Sequence, residues 1–582
     1  MNRNQEYKNK IYKDAGVERG VTAKAMTVIL ALILALVLTL TSCGSTAEAG
    51  STGGITSQTS TETSYNAASK SEMFTDRDLS EDYDESEAET ITLSGSSIQT
   101  SAKSGVSVDG STVTISAEGV YIVSGTLTDG QIIVDADDSA KVQIVLKGAS
   151  VTSSDSAAIY VKSADKVFVT TAAGTENTLA NGGSFVADGD TNVDGAVFAK
   201  DDITFNGSGS LTIDSPAGHG VVGKDDVKIA SGTVTINAAN HGIQANDSVR
   251  VAEAAVTVDA RNKDGIHVSD DADEEEGTES DSFFYMSDGS LTITAGDDGI
   301  HADAEALIEG GAIDVTKSYE GIEALSIKVS GGDIKAVASD DGFNAAGGNA
   351  SSGSQTFGSD DWGGGARGGF SDGGTNGSIE ISGGNIYVQA GGDGIDSNGS
   401  VAISGGYTVV CGPTQGDTSV IDFNGEGTIT GGTFIGTGGA GMAESFTSAS
   451  QGLIAVSVGN QSAGSTVALK DEAGNVLAEV TPELDYAVVY VSTQDMAQGE
   501  TYTLTAGTYS ESITLSDIMY STLNGGMGGS FGGGGPRGGM NGEMNNDMNG
   551  GMHGGMHHGG PGMGEAPDGI TGATELNGDT EA

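Results

Sequence analysis

One phrase recurs through the middle of the chain: an acid or histidine, then glycine, then an aliphatic or aromatic residue. It reads Asp194-Gly195-Ala196, His219-Gly220-Val221, His241-Gly242-Ile243, Asp264-Gly265-Ile266, Asp298-Gly299-Ile300, Glu320-Gly321-Ile322, Asp341-Gly342-Phe343 and Asp393-Gly394-Ile395. The Gly-to-Gly steps are 25, 22, 23, 34, 22, 21 and 52. Five of them fall between 21 and 25, and the two long ones hold an acidic insertion near 269–281 and a Gly-rich one near 347–376. A shared period this tight points to a solenoid.

Two further alternating runs lie between successive phrases, such as Val227-Lys228-Ile229 with Val234-Thr235-Ile236, or Ile379-Glu380-Ile381 with Ile386-Tyr387-Val388. Each is a short strand bounded by Gly-Gly, Ser-Gly or Asn/Asp turns. Three strands in about 22 residues describe one coil of a parallel β-helix, and a lone coil cannot bury its inner face, so stacking must stabilise it. After each Gly, position +1 is apolar and +3 small or apolar, which puts both in the core. Position +2 is Gln244, His267, His301, Glu323, Asn344 or Asp396, which puts it outside. Composition agrees with an all-β reading. Gly numbers 94, and each costs roughly 1 kcal/mol against Ala inside a helix. Collagen is excluded, because Gly has no three-residue period and Pro numbers only 6. The net charge of −56 excludes a generic nucleic-acid binder, which needs a basic surface.

Residues 89–440 are therefore read as the β-helix, with 89–190 as its less regular, capped start. Residues 451–518 lack the phrase and are expected to form a small antiparallel β module, and the Gly/Met/His-rich 524–582 a disordered tail. At the other end six basic residues precede an apolar run, Ala25 to Leu40, that ends in Leu40-Thr41-Ser42-Cys43. That is the shape of a bacterial lipoprotein signal over 1–42, with Cys43 lipidated. At about 16 residues the run is short for a transmembrane anchor. Loss of six basic and three acidic residues takes the net charge from −56 to −59 and leaves Cys411 as the remaining thiol. Residues 43–88 read as a solvated, acidic tether. The expected location is the bacterial cell envelope, on the outer face of the cytoplasmic membrane.

Phe74-Thr75-Asp76-Arg77-Asp78-Leu79, the run 118–138 and the run 156–179 resemble a bacterial carbohydrate-binding β-helix family that recognises acidic plant polysaccharide. The resemblance covers roughly 74–520. It implies a right-handed β-helix akin to pectate lyases, calcium along one side, and binding of polygalacturonate and cellulose without cleavage.

Stacked coils lie about 4.8 Å apart, so the residue before each Gly becomes a ladder. From the fourth phrase onward it is Asp264, Asp298, Glu320, Asp341 and Asp393, doubled by Asp297 and Asp340. Two carboxylates at that spacing repel by roughly 3–4 kcal/mol at an effective dielectric near 20. Calcium, hard and oxygen-liganded, would relieve the repulsion, with Glu323 and Asp396 completing its shells. Alternatively each carboxylate closes a tight turn by accepting backbone N–H bonds. His219, His241, His267 and His301 are expected as surface stacking residues, because parallel ladder positions do not converge on a zinc ion. Met and His residues of the tail could hold copper, although a low-complexity spacer explains them as well. Lyase chemistry needs a base, and Lys200, Lys224, Lys263 and Lys317 lie beside the turns, but no motif singles one out. Three readings follow: a non-catalytic, calcium-dependent binder of acidic polysaccharide, a calcium-dependent lyase, or a structural surface stalk.

Overall fold

Strands of the repeated phrase stack on one another in parallel. Ile243 pairs with Ile266, Ile266 with Ile300, Ile300 with Ile322, Ile322 with Phe343 and Phe343 with Ile395. The computed structural model describes residues 70–270, 280–345, 377–412 and 418–523. A second stack runs through Val249, Phe284, Ala306, Ile327 and Ile379, and a third through Val256, Leu291, Ile313, Ile334 and Ile386. The result is all-β and β-helix-like, with one four-residue helix, Lys70–Met73, among the described residues. None of their helices is long and apolar enough to cross a membrane. Cys43 and 524–582 lie outside the described residues.

The side-chain alternation follows the phrase. Ile243, Ile266, Ile300, Ile322, Phe343 and Ile395 at +1 are fully buried, as are Ala245, Val268, Ala302, Ala324 and Ala345 at +3. The glycine is demanded by close approach rather than by an unusual backbone angle. A Cβ on Gly265 would sit 2.7 Å from the carbonyl oxygen of Gly299, and one on Gly299 would sit 2.5 Å from that of Gly321. Glycine thus stacks on glycine, and any side chain there would push the coils apart. The long sequence steps leave the pairing intact, since Ile266 meets Ile300 and Phe343 meets Ile395 in the same register as their neighbours.

Part of the stretch expected as a tether is structured. Met73 and Phe74 pack with Ala230, Ala252, Tyr285 and Leu307 on the outer face of the second stack. Asp78 is 0% exposed; it meets Lys166 Nζ at 2.8 Å and accepts from Thr204 Oγ1 at 2.8 Å. Asn206 Nδ2 donates to the carbonyls of Asp78 and Ser80, and Arg250 Nη1 donates to that of Met73. Residues 73–80 are therefore a strap, because polar groups on three coils take up its backbone and its acid.

The far end is closed by antiparallel strands. Thr433–Gly438 pairs with Tyr486–Ser492, which also pairs with Leu453–Gln461. Leu453, Ala455, Val488 and Tyr490 extend the coil core, so half of the expected β module covers the last coil. The other half is a four-stranded sheet of Val467–Lys470, Val476–Val480, Thr501–Ala506 and Tyr509–Thr514.

Candidate functional site

The turn at each glycine places the preceding residue and the +2 residue on one outer surface. Reading along the stack, the pairs are His241/Gln244, Asp264/His267, Asp298/His301, Glu320/Glu323, Asp341/Asn344 and Asp393/Asp396. The next coil lacks the glycine but continues the row with Ser419 and Asp422, the latter in register with Asp396. One carboxylate oxygen of several acids closes the turn. Asp298 N–H donates to Asp264 Oδ1 at 3.1 Å and Glu320 N–H to Asp298 Oδ1 at 3.0 Å. Asp393 N–H donates to Asp341 Oδ1, and Ser419 N–H to Asp393 Oδ1. The turn role and a cation role are thus compatible, because each of these bonds uses a single oxygen.

The +2 residues point away from the core, as alternation requires, yet they are not on an open surface. Glu323 is 4% exposed and His301 6%, with Asn344 and Asp298 also buried. Neighbouring coils stand about 4.8 Å apart, so long polar side chains in adjacent levels cover one another.

This crowding sets the electrostatics. Burial, then Asp393 and Asp340, pushes Asp341 up to about 8. Burial, with Asp396 and Asp422, pushes Asp393 up to about 7, and burial with Asp422 pushes Asp396 up to about 6. Asp298 and Glu320 also rise, first through burial and then through each other's neighbouring acids. Asp297 rises through burial and the charge of Asp264. Asp264 behaves oppositely: burial alone would raise it, but hydrogen bonds with His241 and His267 hold it well below the usual range. Two buried acceptor atoms in the row, Glu320 Oε2 and Asn344 Oδ1, have no hydrogen-bond partner among the described residues.

Four sets of donors converge, each with ligand-capable atoms within 4.8 Å of one another: Asp393/Asp396/Asp422, Asp264/Asp297/Asp298, Asp298/His301/Glu323 and His241/Asp264/His267. Of the acids singled out from sequence, Glu320, Asp340 and Asp341 flank these sets without joining one. Asp422 was missed because its coil has no Asp-Gly phrase; the signal available was Val420-Ile421-Asp422, apolar residues followed by an acid at the row's position. The expectation for the histidines needs correction. The rings of His219, His241, His267 and His301 do stack, at 5.0, 4.3 and 4.9 Å, but His241 and His301 are buried, and two of the four converge with Asp264. The reason is that the pre-glycine and +2 positions share one surface, so they are not separate parallel ladders.

Two other features went unread in the sequence. A second acidic corner gathers Asp201, Asp202, Asp225 and Asp247, where burial and then Asp247 push Asp225 up to about 6. A cavity of about 460 Å³ beside the strap is lined by Arg77, Asp82, Tyr83, Gln143 and Phe168, with the Arg77 guanidinium 4.7 Å over the Phe168 ring.

Residues 109–361 match a family described as carbohydrate-binding domain-containing protein. A protein of Acetivibrio thermocellus with the same description is 37% identical over 136 residues, which is 23% of this chain and 48% of the relative. The chain therefore spans about half the length of that relative. A solved structure titled polysaccharide lyase-like protein from C. thermocellum, gadolinium derivative, is 29% identical. It covers 42% of this chain and 93% of its own, with a TM-score of 0.37. Both sequence matches carry a carbohydrate-binding description. The family match includes the row from His219 to Asp341 and stops short of Asp393, Asp396 and Asp422.

Proposed function

We propose that this protein binds an acidic polysaccharide of the polygalacturonate type through calcium held on the carboxylate row, without cleaving it. The observation that carries the reading is the convergence of Asp393, Asp396 and Asp422 within 4.8 Å. No lysine or arginine of the described residues forms an ion pair with these three acids. Oxygen donors alone, crowded and raised in pKa, suit a hard cation of irregular geometry. The orphaned Glu320 Oε2 and Asn344 Oδ1 fit the same requirement further along the row. Asp340 and Asp341 would serve the level of Asn344, and Asp297, Asp298 and Glu323 those of Glu320 and the coil before it. When bound, calcium supplies a positive bridge between protein and sugar carboxylates, which a chain of net charge −56 otherwise repels. The row would run along a right-handed helix with coils of about 22 residues, anchored to the cell envelope by a lipid on Cys43. Cellulose, with no carboxylate, would bind independently of the row.

Affinity electrophoresis in pectate gels tests this. Retardation is expected with calcium, and its loss with chelator or in Asp393→Asn/Asp396→Asn. Equal retardation in calcium and in chelator overturns calcium bridging. Absorbance from an unsaturated uronate product would turn the reading to a lyase, and a glycan array blank in the presence of calcium would turn it to a structural stalk.

A further inference from the structure

The outward row changes chemistry along its length. Oxygen donors alone make up its far end at Asp393, Asp396 and Asp422, whereas imidazoles enter it at His219, His241, His267 and His301. At the level of Asp264 two imidazoles and a carboxylate meet. His267 Nδ1 lies 2.7 Å from Asp264 Oδ2, and His241 Nδ1 lies 3.2 Å from the same oxygen. The two rings stand 4.3 Å apart at an angle of 21°. Asp264 is 4% exposed and His241 9%.

Protons do not satisfy this set evenly. His241 Nδ1 lies 3.2 Å from the Asp264 N–H, from which it can accept, and 3.2 Å from Asp264 Oδ2, to which it can donate; one nitrogen does one or the other. His267 Nδ1 can donate to the same Oδ2. A divalent ion between the three groups would take an imidazole lone pair from each ring and the Asp264 oxygen as ligands in place of these protons. The carboxylate is already oriented for the task, since the Asp298 N–H holds its other oxygen at 3.1 Å.

Two imidazoles with one carboxylate form a donor set for zinc, cobalt or nickel rather than calcium, which takes oxygen. We propose that His241, Asp264 and His267 form a binding site for a borderline divalent transition metal, distinct in donor chemistry from the oxygen cluster at Asp393, Asp396 and Asp422. Three protein ligands leave a coordination position for water or an outside ligand, the pattern of an open site. This inference stands apart from the polysaccharide reading, because it needs no sugar and no calcium.

The probe is cobalt(II), titrated into the full chain and followed by its visible absorption. His553, His557 and His558 offer competing nitrogen donors, so the triple variant His553→Ala/His557→Ala/His558→Ala is titrated beside the wild type. One equivalent of absorbing cobalt is expected in both, and excess calcium should leave the band in place. His241→Ala should weaken cobalt binding about tenfold or more, as should His267→Asn. The asparagine keeps an N–H for Asp264, so its coils remain closed, and circular dichroism melting verifies that. An unchanged band in both histidine variants overturns the site. So does a band that vanishes with the tail histidines or is displaced by calcium.

Discussion

Under the strap, Asp78, Lys166, Asp202, Lys228, Asp226 and Arg250 alternate in sign; along the glycine row, Glu320, Asp341, Asp393 and Asp396 are all acids. Both groups sit on the outside of the same stack of strands, on earlier and later coils respectively. In the first, Lys166 Nζ reaches Asp78 at 2.8 Å and Asp202 at 3.3 Å, while Asp226 meets Lys228 at 2.8 Å and Arg250 at 3.0 Å. Burial alone would raise Asp78, but the bonds from Lys166, Thr75 and Thr204 bring it down to about 2. In the second, burial raises Glu320, Asp341 and Asp393, and their near neighbours raise them further. A buried charge that the chain neutralises is a fixed part of the fold. One that it leaves to a proton or an external cation makes the fold responsive to what surrounds it.

The largest expected effect lies on the compensated side. Lys166→Ala leaves Asp78 buried without its cation, and breaking such a pair costs about 3–5 kcal/mol. Chemical denaturation should show that loss, and limited proteolysis should show the strap opened near residues 73–80. An unchanged unfolding midpoint would mean that Lys166 does not secure the strap.

The next effect lies on the uncompensated side. An ion that binds only the folded state stabilises it by about 2.7 kcal/mol at a hundredfold excess over Kd. Calcium should therefore raise the melting temperature, and monovalent salt should not replace it. The pH dependence gives the two regions opposite signs. Asp341 and Asp393, at about 8 and about 7, sit above the unfolded value near 4, so the folded chain holds more protons between pH ~4 and ~8. Their contribution is complete below pH ~4 and is lost as pH rises through 7 to 8. Asp78, held at about 2, contributes above pH ~4 and loses its share as pH falls towards 2. Melting curves in chelator should thus decline towards alkaline pH, and calcium should flatten that decline. A slope identical with and without calcium would break the contrast.

The smallest effect is a change of sign. Asp341→Asn keeps an oxygen for the Asp393 N–H but removes a carboxyl that folding obliges to take up a proton. In chelator it should stabilise the protein by on the order of 1 kcal/mol. In calcium it should reduce the gain that the wild type shows. Differential scanning calorimetry under both conditions reads the two values, and destabilisation in chelator would show that repulsion at Asp341 is not limiting.

Much of this was legible because backbone chemistry repeats. A glycine flanked by an acid and an aliphatic recurs only where coil must lie on coil, and Ile266, Ile300 and Ile322 indeed stack in register. The same periodicity exposed the acids before each glycine. It did not reveal that Glu323 and His301 are covered, because alternation gives the direction of a side chain and not its surroundings. Nor did it reveal the meeting of His241 with His267, which occupy different places in the phrase on successive coils. The strap was hidden for another reason: Asp78 meets Thr204 across 126 residues, and a short polar stretch carries no period that announces a distant partner.

The register that survives the long steps has an evolutionary consequence. The additional residues of the 34- and 52-residue steps fall in sequence between Val268 and Phe283 and between Ala345 and Ser378, both after a strand that follows the row. Adding residues between two paired strands is cheap in general, since each doubling of a connection costs only about 0.6 kcal/mol. Duplication, deletion or exchange of sequence there can therefore proceed without resetting a hydrogen bond between coils. What flanks the row can thus be altered while the paired strands that carry the row keep their register.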